Sequence, residues 1–233
     1  MDKARVEHVF FDLDNTLWDH RGNSEVTLEQ MFKDYEITKK YKVTFEEWHK
    51  VFYEINEKLW VDLSEAKISK DDLRERRFKD PFAHFDIHEE GLGLEFEDEY
   101  LARMGKMKGT IEGAQEILEY LSDNYTIHII TNGFIEVSEA KLINADLLKY
   151  ITTLTCADEI GVRKPDARIF ELANNKAAST IENAVIIGDD WVADVIGGTN
   201  FGWQAIFLDC FNEKPSLEGV PNITSLLELK KLL

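Results

Sequence analysis

Two aspartates separated by a single residue, Asp12 and Asp14, close the apolar run Val6-Glu7-His8-Val9-Phe10-Phe11 within the segment Asp12-Leu13-Asp14-Asn15-Thr16. In extended backbone, residues i and i+2 point to the same side, so the two carboxylates can share one site. Such a pair can divide into a nucleophile and a general acid/base. A strand-ending turn, with Asp and Asn side chains bonded to nearby backbone, explains the same residues. Thr131-Asn132-Gly133 follows a second apolar run, Tyr125 to Ile130. A hydroxyl and adjacent N–H groups at a helix start can hold phosphate oxygens, and a turn with a helix cap fits equally well. Lys164 stands in Val162-Arg163-Lys164-Pro165-Asp166, before a proline suited to a helix start. Its ammonium could neutralise a phosphoryl group, although isolated lysines are usually solvated surface charges. Gly188-Asp189-Asp190-Trp191-Val192-Ala193-Asp194 crowds three carboxylates after the run Ala184-Val185-Ile186-Ile187. Three such acids repel one another unless a cation compensates them, and an oxygen-only ligand set suits Mg²⁺. A helix dipole accounts for one of the three and less well for all of them.

These clusters need elements that aim them at one place. The first run reads as a buried strand. From about 18 to 107 the pattern changes to charged segments with helical spacing, 24–36, 44–62, 70–80 and 93–106, and Ser69 with Asp72 resembles a capping signal for the third. After that stretch, strands and helices alternate: helix 112–122, the strand ending at Ile130, helix 135–145, a strand near 151–156, helix 166–176, the strand at 184–187, helix 191–200 and a strand at 204–208. Such alternation predicts an α/β fold, a doubly wound parallel sheet, with an inserted all-helical domain. The expected division is a core of 1–17 and 108–233 and a helical domain of 18–107. Ligands on such sheets sit at the C-terminal strand ends, where every cluster above falls.

Bulk properties narrow the partners. A chain of 233 residues can bury a core without disulfides or a structural metal. Its net charge of −18 repels nucleic acid and anionic membranes. The same field repels a phosphorylated metabolite, so a phosphate site needs local positive charge. No run approaches the roughly 20 apolar residues of a membrane span. The start, MDKARVEHVFFDLD, leads straight into a strand without a signal-peptide layout, which predicts a cytoplasmic protein. Cys156 and Cys210 form no disulfide framework or zinc motif and read as reduced thiols. The six histidines read as surface or core residues, His20 reads as structural, and Glu95 to Glu99 reads as a solvated helix face.

In chain order, DxDxT, a strand-end Thr, Lys-Pro and GDDxxxD resemble the four motifs of the haloacid dehalogenase superfamily. The resemblance spans essentially the whole chain, including a helical cap inserted after the first motif. It implies a Mg²⁺-dependent phosphatase acting on a small phosphate monoester through an aspartyl phosphate. Asp12 would be the nucleophile and Asp14 the acid/base. Thr131 and Lys164 would bind the phosphoryl group, with Lys164 also orienting Asp12. Asp189 would ligate Mg²⁺ with Asp12 and the main-chain oxygen of Asp14. Either Asp190 or Asp194 would support the metal, and spacing favours Asp194. Asp14 argues against dehalogenation, whose leaving group needs no proton and whose enzymes lack that second aspartate.

Ile55-Asn56-Glu57-Lys58-Leu59-Trp60, Leu59-Trp60-Val61-Asp62, Arg74-Glu75-Arg76-Arg77-Phe78 and Thr131-Asn132-Gly133-Phe134 are similar to the YjjG-type 5′-nucleotidases. This implies a nucleoside monophosphate as substrate, with Asn132 at the phosphate and Asn56, Trp60 and Arg77 as cap contacts. Trp60 packing between helices and solvated arginines are the plain alternatives. A sugar-phosphate phosphatase or phosphomutase would use the same acids. A non-enzymatic phospho-acceptor module fits less well, because receiver domains draw their acids from different strands.

Overall fold

The computed structural model describes residues 2–211 and 215–233. The chain divides into two compact units, Met1–Arg21 with Lys106–Leu233, and Gly22–Gly105.

In chain order the elements are β1 (His8–Phe11), α1 (His20–Asp34), α2 (Ile37–Tyr41), α3 (Phe45–Ser64), α4 (Lys70–His84), α5 (Leu92–Met104), α6 (Ala114–Ser122), β2 (Thr126–Thr131), α7 (Ile135–Asn144), β3 (Thr153–Cys156), α8 (Ala167–Ala177), β4 (Ala184–Gly188), α9 (Gly197–Phe201), β5 (Gln204–Leu208), β6 (Asn222–Ile223) and α10 (Leu229–Leu232).

The first unit is an α/β sheet with strand order β3-β2-β1-β4-β5-β6. Every pairing is parallel, with Phe11 opposite Ile129 on one side and Ile187 on the other. β1, β2 and β4 are buried almost throughout, as expected of parallel strands covered on both faces. Phe10, Ile130 and Ile186 pack with Ile169 and Phe170 of α8 and with Trp203 and Phe207 in one core cluster. The order runs outward from β1 in both directions, so the crevice between the ends of β1 and β4 is the topological switch point. Asp12 follows β1 and Asp189 follows β4, on either side of that crevice.

The second unit is all helical, and its centre is aromatic. Trp48 and Phe52 of α3, Phe78 and Phe82 of α4 and Phe96 of α5 interlock, with centroids 5.1 Å apart for Trp48–Phe52 and 5.2 Å for Phe82–Phe96. Two capping boxes start its long helices: Thr44 with Glu47 on α3 and Ser69 with Asp72 on α4. Each satisfies N–H groups that a helix start leaves without intrahelical partners.

The structure adds three elements that the pattern did not suggest: α2, β6 and the short C-terminal α10. α2 is a single turn bounded by Glu36 and Lys42, both left-handed, at φ 52 and 62, with no glycine or proline to mark it. β6 pairs with β5 through only two residues, too few for a periodicity to register. Two expectations also change in detail. α4 continues through Pro81 to His84, where Phe78, Pro81 and Phe82 are all buried. The predicted helix 191–200 is a π-helical turn, Trp191–Ile196, leading into α9. No helix among the described residues is long and apolar enough to cross a membrane.

Candidate active site

The loop after β1 carries two aspartates into opposite surroundings. Asp12, buried, accepts a 2.6 Å bond on Oδ1 from the Nζ of Lys164. The same ammonium donates 2.6 Å to Asp194 Oδ1 and 2.9 Å to the carbonyl of Ile130, so its donors are spent on three oxygens from three elements. Asp12, Asp189 and Asp194 each bring a carboxylate oxygen to within 4.8 Å of the others.

This cluster is short of positive charge. Burial pushes Asp12 up to about 7, against the pull of Lys164 and with Asp194 adding to the rise. Burial, with the Asp12 and Asp194 carboxylates, pushes Asp189 up to about 8. Burial also raises Asp194. Although burial disfavours its charge, Lys164 is held well above the usual lysine range by Asp12 and Asp194. One cation among three carboxylates, Asp12 and Asp194 buried and Asp189 half-buried, leaves room for a second, and a donor set made only of oxygen fits a hard divalent ion.

Local chemistry explains how the last motif is shaped. Asp190 turns away from the cluster and caps the π-helical turn, accepting from the N–H groups of Val192 at 2.9 Å and Ala193 at 2.8 Å. Asp194, one turn on, folds back over Gly188, and its Oδ2 accepts from the N–H of Asp190 at 3.1 Å. A Cβ on residue 188 would lie 2.0 Å from Asp194 Oδ2, so only glycine admits this approach. Thr16 links the first and last loops: its hydroxyl donates 2.9 Å to Asp189 Oδ1 and accepts from the N–H of Asp189 at 3.1 Å.

Asp14 faces the other way, toward α7. Lys141 Nζ donates 2.6 Å to Asp14 Oδ1, and His20 Nδ1 lies 3.6 Å from the same oxygen, beyond hydrogen-bond reach. Burial favours the neutral acid, yet Lys141 and His20 together hold Asp14 well below the usual carboxylate range. A Cβ built on Gly133 would meet Ser138 Oγ at 2.9 Å, Thr131 Oγ1 at 3.3 Å and Asp14 Oδ2 at 3.4 Å. The bare Cα of Gly133 is therefore the floor of a small cradle rimmed by three oxygens.

The structure thus brings Asp12, Lys164, Asp189 and Asp194 together, and places Asp14 beside Thr131. The Asn132 amide serves the lysine loop, donating 3.1 Å to the carbonyl of Lys164 and accepting from its N–H at 2.8 Å. Pro165 lies just outside α8 rather than opening it. Asp166 is the cap, accepting from the N–H of Arg168 at 3.0 Å.

In the helical unit, Asn56 interrupts the buried stripe Trp48, Phe52, Leu59 and Leu63 of α3, and its Oδ1 has no hydrogen-bond partner among the described residues. Trp60 is half-buried on the same helix. Arg77 is buried and grips Glu97 through two bonds, 2.8 Å from Nε and 2.5 Å from Nη2.

Reading the sequence passed over Lys141 and Ser138. The signal was present: Val137, Ser138, Lys141 and Leu142 form the buried face of α7, and a lysine within such a stripe needs a partner.

The haloacid dehalogenase-like hydrolase family matches residues 6–202. The pyrimidine 5′-nucleotidase PynA of Streptococcus pneumoniae is 30% identical over 202 residues, 85% of this chain and 82% of PynA. The pyrimidine 5′-nucleotidase YjjG of Escherichia coli is 30% identical over 230 residues, 97% of this chain and 96% of YjjG. The solved structure of the HAD-hydrolase YfnB of Bacillus subtilis, bound to magnesium, shares the fold with a TM-score of 0.88 at 23% identity, over 98% of this chain and 99% of that one. The family match spans most of the chain and the likeness to YjjG nearly all of it, and the chain belongs to the haloacid dehalogenase-like hydrolases.

Proposed function

We propose that this hydrolase is a Mg²⁺-dependent phosphatase that cleaves a nucleoside 5′-monophosphate through an aspartyl phosphate on Asp12. The observation that carries the reading is the charge deficit at the switch point, where Asp12 shares Lys164 with Asp194 while Asp189 lies alongside. The substrate class rests on the likeness to two pyrimidine 5′-nucleotidases.

Asp12, Asp189 and the main-chain oxygen of Asp14 would hold the metal, with Asp194 supporting it. Bound there, Mg²⁺ supplies positive charge that offsets repulsion between the carboxylates and an incoming phosphate. Lys164 fixes Asp12 through Oδ1, which leaves Oδ2 to attack phosphorus in line. As the new P–O bond forms, the ester P–O bond breaks and Asp14 gives its proton to the departing oxygen. The charge of the bound phosphate raises the proton affinity of Asp14 and so supplies the acid form that Lys141 opposes in the free protein. A water then attacks the aspartyl phosphate, Asp14 takes its proton, and the bond to Asp12 breaks to release phosphate. The Thr131 hydroxyl and Lys164 bind the transferring group, and positioning with charge neutralisation does most of the work because the transition state is loose. Asn56 and Trp60 belong to the same proposal as contacts for the nucleoside, whereas Arg77, committed to Glu97, would act only by holding the helices that carry them.

The test is phosphate release from pyrimidine and purine nucleoside 5′-monophosphates beside sugar phosphates, with and without Mg²⁺. The expected result is Mg²⁺-dependent turnover that favours pyrimidine nucleotides and disappears in Asp12→Asn. Full activity in that variant overturns the mechanism, and a preference for sugar phosphates overturns the substrate class. Persistent phosphorylation of Asp12 without turnover would make the protein a phospho-acceptor.

A further inference from the structure

We infer that Lys141 is a positioning residue for the reaction, which clamps one oxygen of Asp14 so that the other alone faces the reacting group. The inference rests on the proposed phosphatase reading and adds a residue to it.

Lys141 lies on the buried face of α7 and is only 4% exposed, so its ammonium cannot be satisfied by bulk water. Among the described residues its one charged partner is Asp14, whose Oδ1 lies at 2.6 Å. On another side the ammonium stands over the ring of Trp18, 4.3 Å from the centroid, a cation–π contact on a fully buried indole. The Trp18 ring is itself anchored, its Nε1 donating 3.3 Å to the carbonyl of Met107. Anchored ring, ammonium and Oδ1 form a chain that leaves the carboxylate little freedom to rotate.

The consequence is an asymmetry between the two Asp14 oxygens. Both basic groups, Lys141 and His20, address Oδ1. Oδ2 instead borders the Gly133 cradle beside Thr131 Oγ1 and Ser138 Oγ. A group that exchanges a proton twice per turnover needs the same oxygen presented each time. A carboxylate free to spin about its last bond would offer either oxygen, and misplacing a reacting group by about 1 Å can cost on the order of 10²-fold in rate. Lys141 acts through Asp14 and touches no reacting atom, so its effect must vanish when Asp14 can no longer transfer a proton.

The experiment is a double-mutant cycle on phosphate release from a nucleoside 5′-monophosphate at saturating Mg²⁺, with the full chain. Lys141→Met is expected to lower kcat by about 10- to 100-fold with KM within about threefold of wild type. Lys141→Arg, which keeps the charge and a donor, is expected to recover most of that loss. Asp14→Asn combined with Lys141→Met is expected to be no slower than Asp14→Asn alone. Additive losses in the double variant, or a Lys141→Met enzyme within twofold of wild type, overturn the inference. Lys141→Gln repeats the test if Met at that position prevents folding, and loss of the fold in both variants overturns it as well, because the lysine would then be structural. A wild-type protein that releases no phosphate from any monoester would instead defeat the phosphatase reading itself.

Discussion

Each unit of the protein buries a cluster of charge, and the two clusters balance differently. In the helical unit, Glu97 is fully buried, yet Arg77 meets it with two bonds and Arg74 stands 3.4 Å away. Every oxygen of that carboxylate has a cationic donor. In the α/β unit, Lys164 must serve Asp12 and Asp194 at once, with Asp189 close by. Burying an ion pair is tolerable when its hydrogen bonds are complete, and costly when a charge is left over. The first cluster therefore ties α4 to α5, while the second sets one ammonium against three carboxylates. A residue type says little here, since both clusters are built from acids and long basic side chains; the count of charges separates structure from chemistry.

The largest expected break in this contrast is Lys164→Met. It removes the ammonium from three crowded carboxylates, and kcat/KM for phosphate release should fall by at least about a thousandfold, roughly 4 kcal/mol of transition-state stabilisation. A variant within tenfold of wild type would remove the functional half of the comparison.

Arg77→Met should act on stability. Leaving Glu97 without its two-bond partner should cost about 3–5 kcal/mol in urea unfolding, and Arg77→Met/Glu97→Leu should regain most of it. A single variant costing under about 1 kcal/mol would show that the pair does not hold α4 to α5.

The charge deficit also predicts a pH dependence of metal binding. Burial pushes Asp12 up to about 7 and Asp189 up to about 8, and both must be ionised to ligate. Metal binding then releases protons, so affinity should rise as pH increases toward about 8, by roughly tenfold per pH unit for each proton displaced. Calorimetry of Mg²⁺ binding in buffers of different ionisation enthalpy checks this, and a constant affinity from pH 6 to 8 without proton release would contradict it.

The smallest effect separates two neighbours in one motif. Asp190→Ala should cost about 1 kcal/mol of stability through the lost cap and leave Mg²⁺ affinity within about threefold. Asp194→Asn should weaken Mg²⁺ by at least about tenfold. Equal effects on affinity would mean that the cap geometry misleads.

Much of the architecture was legible beforehand. Short apolar runs ending in Asp12, Thr131 and Asp189 mark strands whose polar ends share one edge, and the alternation with helices predicts the parallel sheet. Other features were not legible. Asn132 looked like a phosphate contact, yet its amide is paired with the backbone of Lys164, 32 residues away. Arg77 looked like a substrate contact by resemblance, and the structure places its guanidinium on Glu97. Lys141 reaches Asp14 across 127 residues, a distance at which no local pattern carries information.

The amino-acid sequence alone determined the main elements, their order and the strand ends that bear acids, because strand and helix periods and turn residues are written within a few positions of one another. Tertiary structure alone decided the partner of each charge: Lys164 shared between Asp12 and Asp194, Asp190 spent on a helix cap, Lys141 on one oxygen of Asp14. Charge interactions fall off with distance through space and grow with removal from water, and neither quantity is defined until the sheet has closed and the helices have covered it.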